Sequence, residues 1–497
     1  MTAAARTALV VAQRPSDYVE MRRCALALSA RGWRMIMVYH CIYLDEENER
    51  HILEEIEEMV RDGRLAGSHV FRTVQRVVRR RAGRAPAAAE PTEITAWTRA
   101  NLFLRRLRYR LLRPLTDVVR PLAVALFNIR LYLRRLPEYD ALMRQFRPDA
   151  LILPEDVVGL VTPLIIKAGH RHGVPSLILP YTIANQQEAF QSLKSQPNYQ
   201  LARLANRLCG LLWPRWVMRQ DGHALIRLPA PHVIGHVLTG TAPPDPWMMN
   251  SGFANAIAVE NEAMRDYYRA AGIPETRMRV VGAIYDDHLA GFLLDRPRAL
   301  AALRSELGIA NERPLLVIGG CPDQTGSCPP GFEFADMREF GVALARALRP
   351  LADSYQILFR PHPNFLEFAG VMEEAGIRAT TVDTARLVAL ADVYVAFASA
   401  TIRWAIACGV PTVNYDVFHY AYADFVGVEG VVNVDSYPDF AARLAELAPG
   451  SPALAALKDG ARRSAPRWGR LDGRSVDRIE ALLEELGRIR PVPRTSA

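Results

Sequence analysis

Two stretches carry most of the side chains that could do chemistry. Residues 355–365 read YQILFRPHPNF, and 390–416 read LADVYVAFASATIRWAIACGVPTVNYD. In the first, a strand-length apolar run breaks at Arg360-Pro361-His362-Pro363. The two prolines stop regular structure and leave Arg360 and His362 in a loop at the strand's C-terminal end. In the second, Val393 to Phe397 is strand-length, and Ser399, Ala400 and Thr401 follow it before Ile402, Ala405 and Ile406 recur at helical spacing. A strand, a small hydroxyl-bearing turn and a helix start leave backbone N–H groups and the positive end of the helix dipole facing an anion, with the Ser399 and Thr401 hydroxyls as further donors. That chemistry suits a phosphate. Gly409 and Pro411 close the helix, and Pro411 to Tyr415 reads as the next buried strand, ending at Asp416. Taken singly, the hydroxyl turn is an N-cap and the proline loop a stiff connector. Taken together they point to one site, because open α/β sheets bind ligands at the carboxyl ends of their strands.

A third strand end belongs with them. Pro314 to Ile318 is a strand followed by Gly319 and Gly320, which would let backbone approach a ligand closely. The two glycines do not make a GxGxxG fingerprint, so a dinucleotide site has no support.

The candidate general bases lie earlier in the chain. Ala150 to Leu153 is a strand ending in Pro154-Glu155-Asp156, and two adjacent carboxylates there should push one pKa upward, as a base working near neutral pH requires. The structural alternative is that Asp156 caps the helix expected over 158–172 while Glu155 faces the cleft. Asp17, in the loop after the first strand, is a further acceptor-side candidate, with helix capping as its structural alternative. Asp286-Asp287-His288 lacks a third ligand at useful spacing and reads as hinge, so no metal site is expected.

These residues need a scaffold that alternates strand and helix. Ala8–Ala12, Arg34–Tyr39, Ala150–Leu153, Ser176–Leu179, Ala256–Val259 and Met278–Val281 are strand-length apolar runs separated by helical patterns such as 18–30, 46–61 and 260–271. Such alternation predicts parallel, doubly wound α/β sheets. We place an N-terminal domain over 1–283, a C-terminal domain over 284–490 and a disordered tail over 491–497. Residues 323–331 would be a mobile loop over the cleft, and 475–486 an amphipathic helix.

Composition supports this frame. The chain has 497 residues, 50% of them hydrophobic, enough for two sizeable cores. Six cysteines show no paired or zinc spacing and read as reduced, and the N-terminus lacks an apolar run long enough for a signal peptide, so a cytoplasmic protein is expected. Net charge is +8, and only Lys167, Lys194 and Lys458 are lysines, so the basic residues are almost all arginine. Residues 72–146 read as a helical insertion in the first domain, with an Ala/Pro-rich linker at 85–91. Within it, 99–135 holds ten arginines against the single acid Asp117, interleaved with Leu, Phe, Tyr and Val. Such a basic amphipathic segment can lie on the inner face of an anionic membrane as a peripheral anchor, or pair its arginines with acids elsewhere. Residues 200–219 form a second Arg- and Trp-bearing amphipathic segment. No nucleic-acid recognition module accompanies either, so nucleic acid is not an expected partner.

The RPHP loop followed by a Ser-x-Thr helix start resembles the nucleotide-binding half of GT-B glycosyltransferases of bacterial surface and capsular polysaccharides. It is similar to the HP and SS/ST motifs of bacterial sialyltransferases and to the matching His and Ser/Thr positions of CDP-glycerol glycerophosphotransferases. Residues 256–289 resemble the passage between the two halves in those proteins and in UDP-GlcNAc 2-epimerases. The resemblance covers roughly 255–416. It implies a GT-B architecture of two Rossmann-like domains facing a cleft, and a metal-independent transferase that needs no cofactor. The transferase would move a sugar or polyol phosphate from a CMP-, CDP- or UDP-linked donor to a glycan or lipid-linked acceptor. Gly319, Gly320, Arg360, His362, Ser399, Thr401 and Asp416 would hold the donor, and Glu155, Asp156 or Asp17 would serve as base. The sialyltransferase acid motif runs D/E-D/E-G, whereas here Val157 and Val158 separate the pair from Gly159. The absence of an Ex7E pair around 399–416 favours inversion. The alternatives are an epimerase-like isomerase and a non-catalytic scaffold at the membrane.

Overall fold

The computed structural model describes residues 5–41, 46–72 and 96–488, apart from positions 160–161, 182, 184–185, 221, 251, 327, 329–330 and 364. The linker at 85–91 and the tail at 491–497 lie outside the described residues, as does part of the 323–331 loop.

The first domain is built on β1 (Thr7–Ala12), β2 (Arg34–Cys41), β3 (Gly67–Arg72), β4 (Ala150–Leu153), β5 (Ser176–Ile178), a β6–β7 ribbon (Val217–Gln220 and His223–Ile226), β8 (Ala256–Val259) and β9 (Met278–Val280). Seven of these strands form one parallel sheet in the order β3-β2-β1-β4-β5-β8-β9, while β6 and β7 pair antiparallel beside it. Its central strands, such as β1, β4 and β8, read as largely apolar runs because helices cover both faces. Leu9, Val11, Leu151 and Leu153 pack into one core, and Ala8, Val10, Ala12 and Ile152 into the other.

The second domain repeats the plan with β10 (Leu315–Gly319), β11 (Gln356–Arg360), β12 (Arg378–Ala379), β13 (Val393–Ala396), β14 (Thr412–Tyr415) and β15 (Val431–Val434). Its parallel sheet runs β12-β11-β10-β13-β14-β15. In each sheet the strand order reverses beside the domain's first strand, between β1 and β4 and again between β10 and β13. A crevice opens at such a reversal, outside the carboxyl ends of the strands, and it is where doubly wound sheets bind ligands.

The described part of the arginine-rich insertion after Arg72 is a single helix, Ala96–Phe146, with its side chains described from Pro121 onward. It packs against the helices Ala230–Leu238 and Thr162–Arg171. The chain's last helix, Ser475–Arg488, returns to the first domain, where Ile479, Leu482 and Leu483 are buried in the core shared with Ala8 and Val10. Asp286 and Asp287 hold that return. Asp286 accepts from the Ala283 and Arg470 N–H groups, and Asp287 from those of Ser475 and Val476. His288 instead faces Asp383 at 3.5 Å.

Candidate active site

The two domains meet at a cleft of about 540 Å³. Ser16, Glu20, Tyr181 and Ile183 line it from the first domain, and Gly319, Gly320, Arg360, His362, Ser399, Thr401 and Asp416 from the second. All seven donor-side residues expected from the sequence therefore share one wall.

The turn after β13 is the most constrained part of that wall. Ala398 has φ of 49°, a left-handed conformation that costs a residue with a Cβ about 1–2 kcal/mol. Asn414, on the neighbouring β14, holds it there by accepting from the Ala398 N–H at 2.9 Å, while its own amide donates to Asn433. Beyond the bend, Ser399 Oγ and Thr401 Oγ1 lie 2.8 Å apart, and Tyr394 Oη lies 2.6 Å from Thr401 Oγ1. The backbone N–H groups of Ser399 and Ala400 have no hydrogen-bond partner among the described residues. The helix that follows, Ile402–Ala407, has only six residues, so the amides and hydroxyls of the turn contribute more than its dipole.

Arg360 ends β11 with its Nε donating to Val382 O and its Nη1 to Pro361 O, which fixes the guanidinium plane at the cleft. Burial lowers the pKa of His362, and nearby Arg360 lowers it further, which favours the neutral imidazole. Asp416 accepts from the N–H groups of Tyr420 (3.0 Å) and Ala421 (2.6 Å), which shapes the aromatic loop that closes this side. The two glycines have an internal reason to be glycine. A Cβ on Gly319 would stand 2.2 Å from Tyr394 Oη, and one on Gly320 would stand 2.9 Å from the Phe359 ring and 3.1 Å from the His362 backbone nitrogen.

Contrary to the expectation that Glu155 faces the cleft, none of the three carboxylates expected from the sequence lines it: all are fully buried behind the first domain's wall, and they separate by environment. Asp156 Oδ2 accepts from the N–H groups of Phe253 (2.7 Å) and Ala254 (3.0 Å), tying β4 to the segment that enters β8. The next helix begins only at Thr162, so Asp156 does not cap it. Asp17 is fully buried at the third position of the helix Pro15–Ser29 and reaches back to the Gln13 and Arg14 N–H groups. Glu155 is also fully buried. One of its oxygens is ion-paired with Arg14, whose guanidinium also lies 5.5 Å from the centroid of the Tyr181 ring on the cleft wall. Desolvation outweighs the attraction of Arg14 and raises the Glu155 carboxyl to about 7.

Among the described residues, Glu155 Oε2 has no hydrogen-bond partner, nor does either side-chain polar atom of Gln13, while Asp17 Oδ2 lies 3.5 Å from Arg14 Nε. Leaving such groups unsatisfied costs about 1–3 kcal/mol each.

Residues without a sequence signal complete the site. Arg403 is 2% exposed, ion-paired with Glu260 at the end of β8, and donates to Tyr181 O at 2.7 Å. Its guanidinium also lies 4.8 Å from the centroid of the Tyr285 ring. Glu20 lines the cleft one turn beyond Ser16 and is paired with Arg23 at 2.8 Å, and Arg23 reaches Asp383 of the second domain. Among the described residues, no three His, Cys, Asp or Glu side chains come together as metal ligands do.

Two doubly wound domains with facing switch points are the GT-B architecture, and the chain has it. No protein-family model matches the chain, and no curated protein matches it in sequence. Among solved structures it is similar to UDP-GlcNAc 2-epimerase from Neisseria meningitidis bound to UDP-GlcNAc, with a TM-score of 0.51 and 10% identity over 96% of this chain and 100% of that one. A putative UDP-N-acetylglucosamine 2-epimerase from Listeria monocytogenes matches with a TM-score of 0.51 and 10% identity over 98% of each chain. UGT73P12 of Glycyrrhiza uralensis, complexed with glycyrrhetinic acid 3-O-monoglucuronide, matches with a TM-score of 0.51 and 12% identity, covering 98% of this chain and 96% of that one. At these identities the likeness is one of fold.

Proposed function

We propose that the protein is a glycosyltransferase, or a polyol-phosphate transferase, that moves a group from a nucleotide-activated donor to a hydroxyl of a glycan or lipid-linked acceptor. One observation carries the reading: Arg360, the Ser399 and Thr401 hydroxyls and two unpartnered amides share one wall of the cleft, and a carboxyl raised to about 7 is buried behind the other, paired with Arg14 against the lining residue Tyr181. The carboxyl can take a proton near neutral pH. The wall of donors can receive the charge of a departing nucleotide phosphate.

In this reading Glu155 Oε2 takes the proton of the acceptor hydroxyl as the acceptor oxygen attacks the transferred group. The bond from that group to the donor phosphate breaks, and its electron pair leaves with the phosphate. Arg360 and the turn at 399–401 stabilise the phosphate's charge without a metal ion. Displacement in a single step inverts configuration at a sugar carbon.

A thermal-shift screen with CMP, CDP, UDP and GDP tests the donor half, since ligand at 100 times its dissociation constant stabilises by about 2.7 kcal/mol. Arg360→Ala and His362→Ala should abolish the shift with the fold intact. Sugar-linked forms of the nucleotide that binds then test the reaction. Release of free nucleotide that depends on an added acceptor supports transfer, and conversion of the nucleotide sugar alone identifies an isomerase. Binding without any turnover across donors and acceptors identifies a scaffold.

A further inference from the structure

The helix Leu204–Leu212 is built inside out. Leu204, Leu208, Leu211 and Leu212 follow helical spacing, which would ordinarily place them in a core. They face solvent instead, Leu211 at 78% and Leu212 at 69% exposure, while Asn206, Cys209 and Gly210 are buried. The neighbouring helix does the same. Leu126, Phe127 and Leu133 of Ala96–Phe146 are exposed, Phe127 at 66%, while Ala125 and Asn128 are buried. The two surfaces are continuous. Val124 and Leu204 line one groove of about 470 Å³ together with Pro229 and Pro231, where the helix Ala230–Leu238 begins.

The charge around this apolar face has one sign. Residues 118–137 of the long helix, and 189–220 and 222–244 with the two shorter helices, contain no aspartate or glutamate, and Glu138 at the edge of the first stretch is paired with Arg135. Arg130, Arg134, Arg203, Arg207 and Arg215 are exposed, and none has a carboxylate within ion-pair distance among the described residues. Arginine can bury its apolar stem beside leucine while its guanidinium reaches outward to phosphate. Trp213, partly buried, ends the shorter helix, a place suited to an interfacial ring.

We infer that this face docks on the surface of a bilayer containing anionic phospholipid. Exposed leucines would enter the acyl boundary and the arginines would meet headgroup phosphates. A folded protein partner would instead be expected to face unpaired arginines with carboxylates and to need a closed polar rim. Among the described residues no helix is long and apolar enough to cross a membrane, so the contact is in the plane of the surface. Cys209 and Trp216 pack with Val158, so the docked face is continuous with the loop that carries Glu155.

The test uses the full chain and two sets of extruded vesicles, phosphatidylcholine alone and phosphatidylcholine with phosphatidylglycerol. The protein should co-sediment with the second at low salt, and much less at high salt, where attraction is screened within roughly 3 Å at 1 M. The triple substitution Leu208→Gln, Leu211→Gln and Leu212→Gln should reduce partitioning at least about tenfold with an unchanged melting temperature, because exposed leucines contribute to binding and not to the core. Arg203→Gln with Arg207→Gln and Arg215→Gln should remove most of the salt dependence. The inference falls if the wild type ignores phosphatidylglycerol vesicles at low salt, or if both triple variants partition like wild type. It also falls if sedimentation velocity shows a wild-type dimer that the leucine variant dissociates while vesicles are ignored, since the face then joins two copies of the chain. None of these readouts requires turnover, so the inference stands or fails separately from the transferase reading.

Discussion

At the scale of single residues, Glu155 has the strongest consequence for chemistry. Its carboxyl is held near 7 by burial, so the base form should appear as pH rises, and kcat/KM should climb through a limb near pH 7. Glu155→Gln should lower kcat by about two to four orders of magnitude and abolish the limb, with nucleotide affinity kept. Asp156→Asn replaces an oxygen that accepts two backbone N–H groups and should act on the fold, lowering stability by about 1–3 kcal/mol with a smaller effect on rate. A pH–rate profile beside a denaturation curve for each variant separates the two. The RPHP loop and the hydroxyl turn of the cleft wall were legible because strand ends and proline punctuation leave a local signal. Arg14, Gln13, Arg403 and Glu260 were not. In a chain whose 61 basic residues are nearly all arginine, no single arginine stands out, and Arg403 finds Glu260 143 residues away.

At the scale of elements, the long helix is attached to the first domain through a polar seam. Tyr132 Oη lies 3.2 Å from His236 Nε2, His236 Nδ1 lies 2.9 Å from Thr241 Oγ1, and Asn128 meets His232 at 3.1 Å. The His236 ring stacks on Trp216, and burial lowers its pKa to about 4 while His232 is lowered as well. A histidine whose folded pKa lies below its unfolded value of 6.5 contributes stability present above that value and lost as pH falls toward the folded pKa. The seam should therefore weaken between about pH 6.5 and 4, by a few kcal/mol at most. Melting temperature against pH should fall more steeply over that window in wild type than in His236→Gln, which cannot charge. Strand runs such as Ala150–Leu153 and Ala256–Val259 were readable to the residue because both faces are buried and their composition is uniformly apolar. The strands Gly67–Arg72 and Val431–Val434 and the ribbon 217–226 were not, since each mixes polar residues into a short run at an edge or outside the main sheets. The apolar stripe of Leu204–Leu212 was visible as amphipathicity, but sequence alone does not say which face of an amphipathic helix is turned outward.

At the scale of the molecule, both sheets follow from the strand and helix alternation, whereas the way they are fastened together does not. The last helix crosses to the first domain, and Asp286 and Asp287 hold it there through backbone groups that no spacing reveals. The deeper fastening is Arg403. It starts from the helix after the 399–401 turn, enters the first domain, and pairs with Glu260 where both side chains are 2% exposed. Removing one partner of such a pair leaves the other charge buried, so Arg403→Met should lower stability by about 3–5 kcal/mol. The double variant Arg403→Met, Glu260→Met should recover much of that loss, because it removes the stranded charge as well. The pH dependence identifies the cause. Burial already raises the Glu260 pKa in the wild type, and without Arg403 it rises further. A carboxylate raised in the folded state contributes stability that is full below its unfolded pKa and is lost as pH rises through the folded value. The deficit of Arg403→Met should therefore be small near pH 4.5 and grow toward pH 8, and the double variant should show no such growth. Urea unfolding of the three proteins at both pH values measures it. A deficit independent of pH would mean that Arg403 acts through its packing on Tyr285, and the buried charge pair would not be what holds the domains closed.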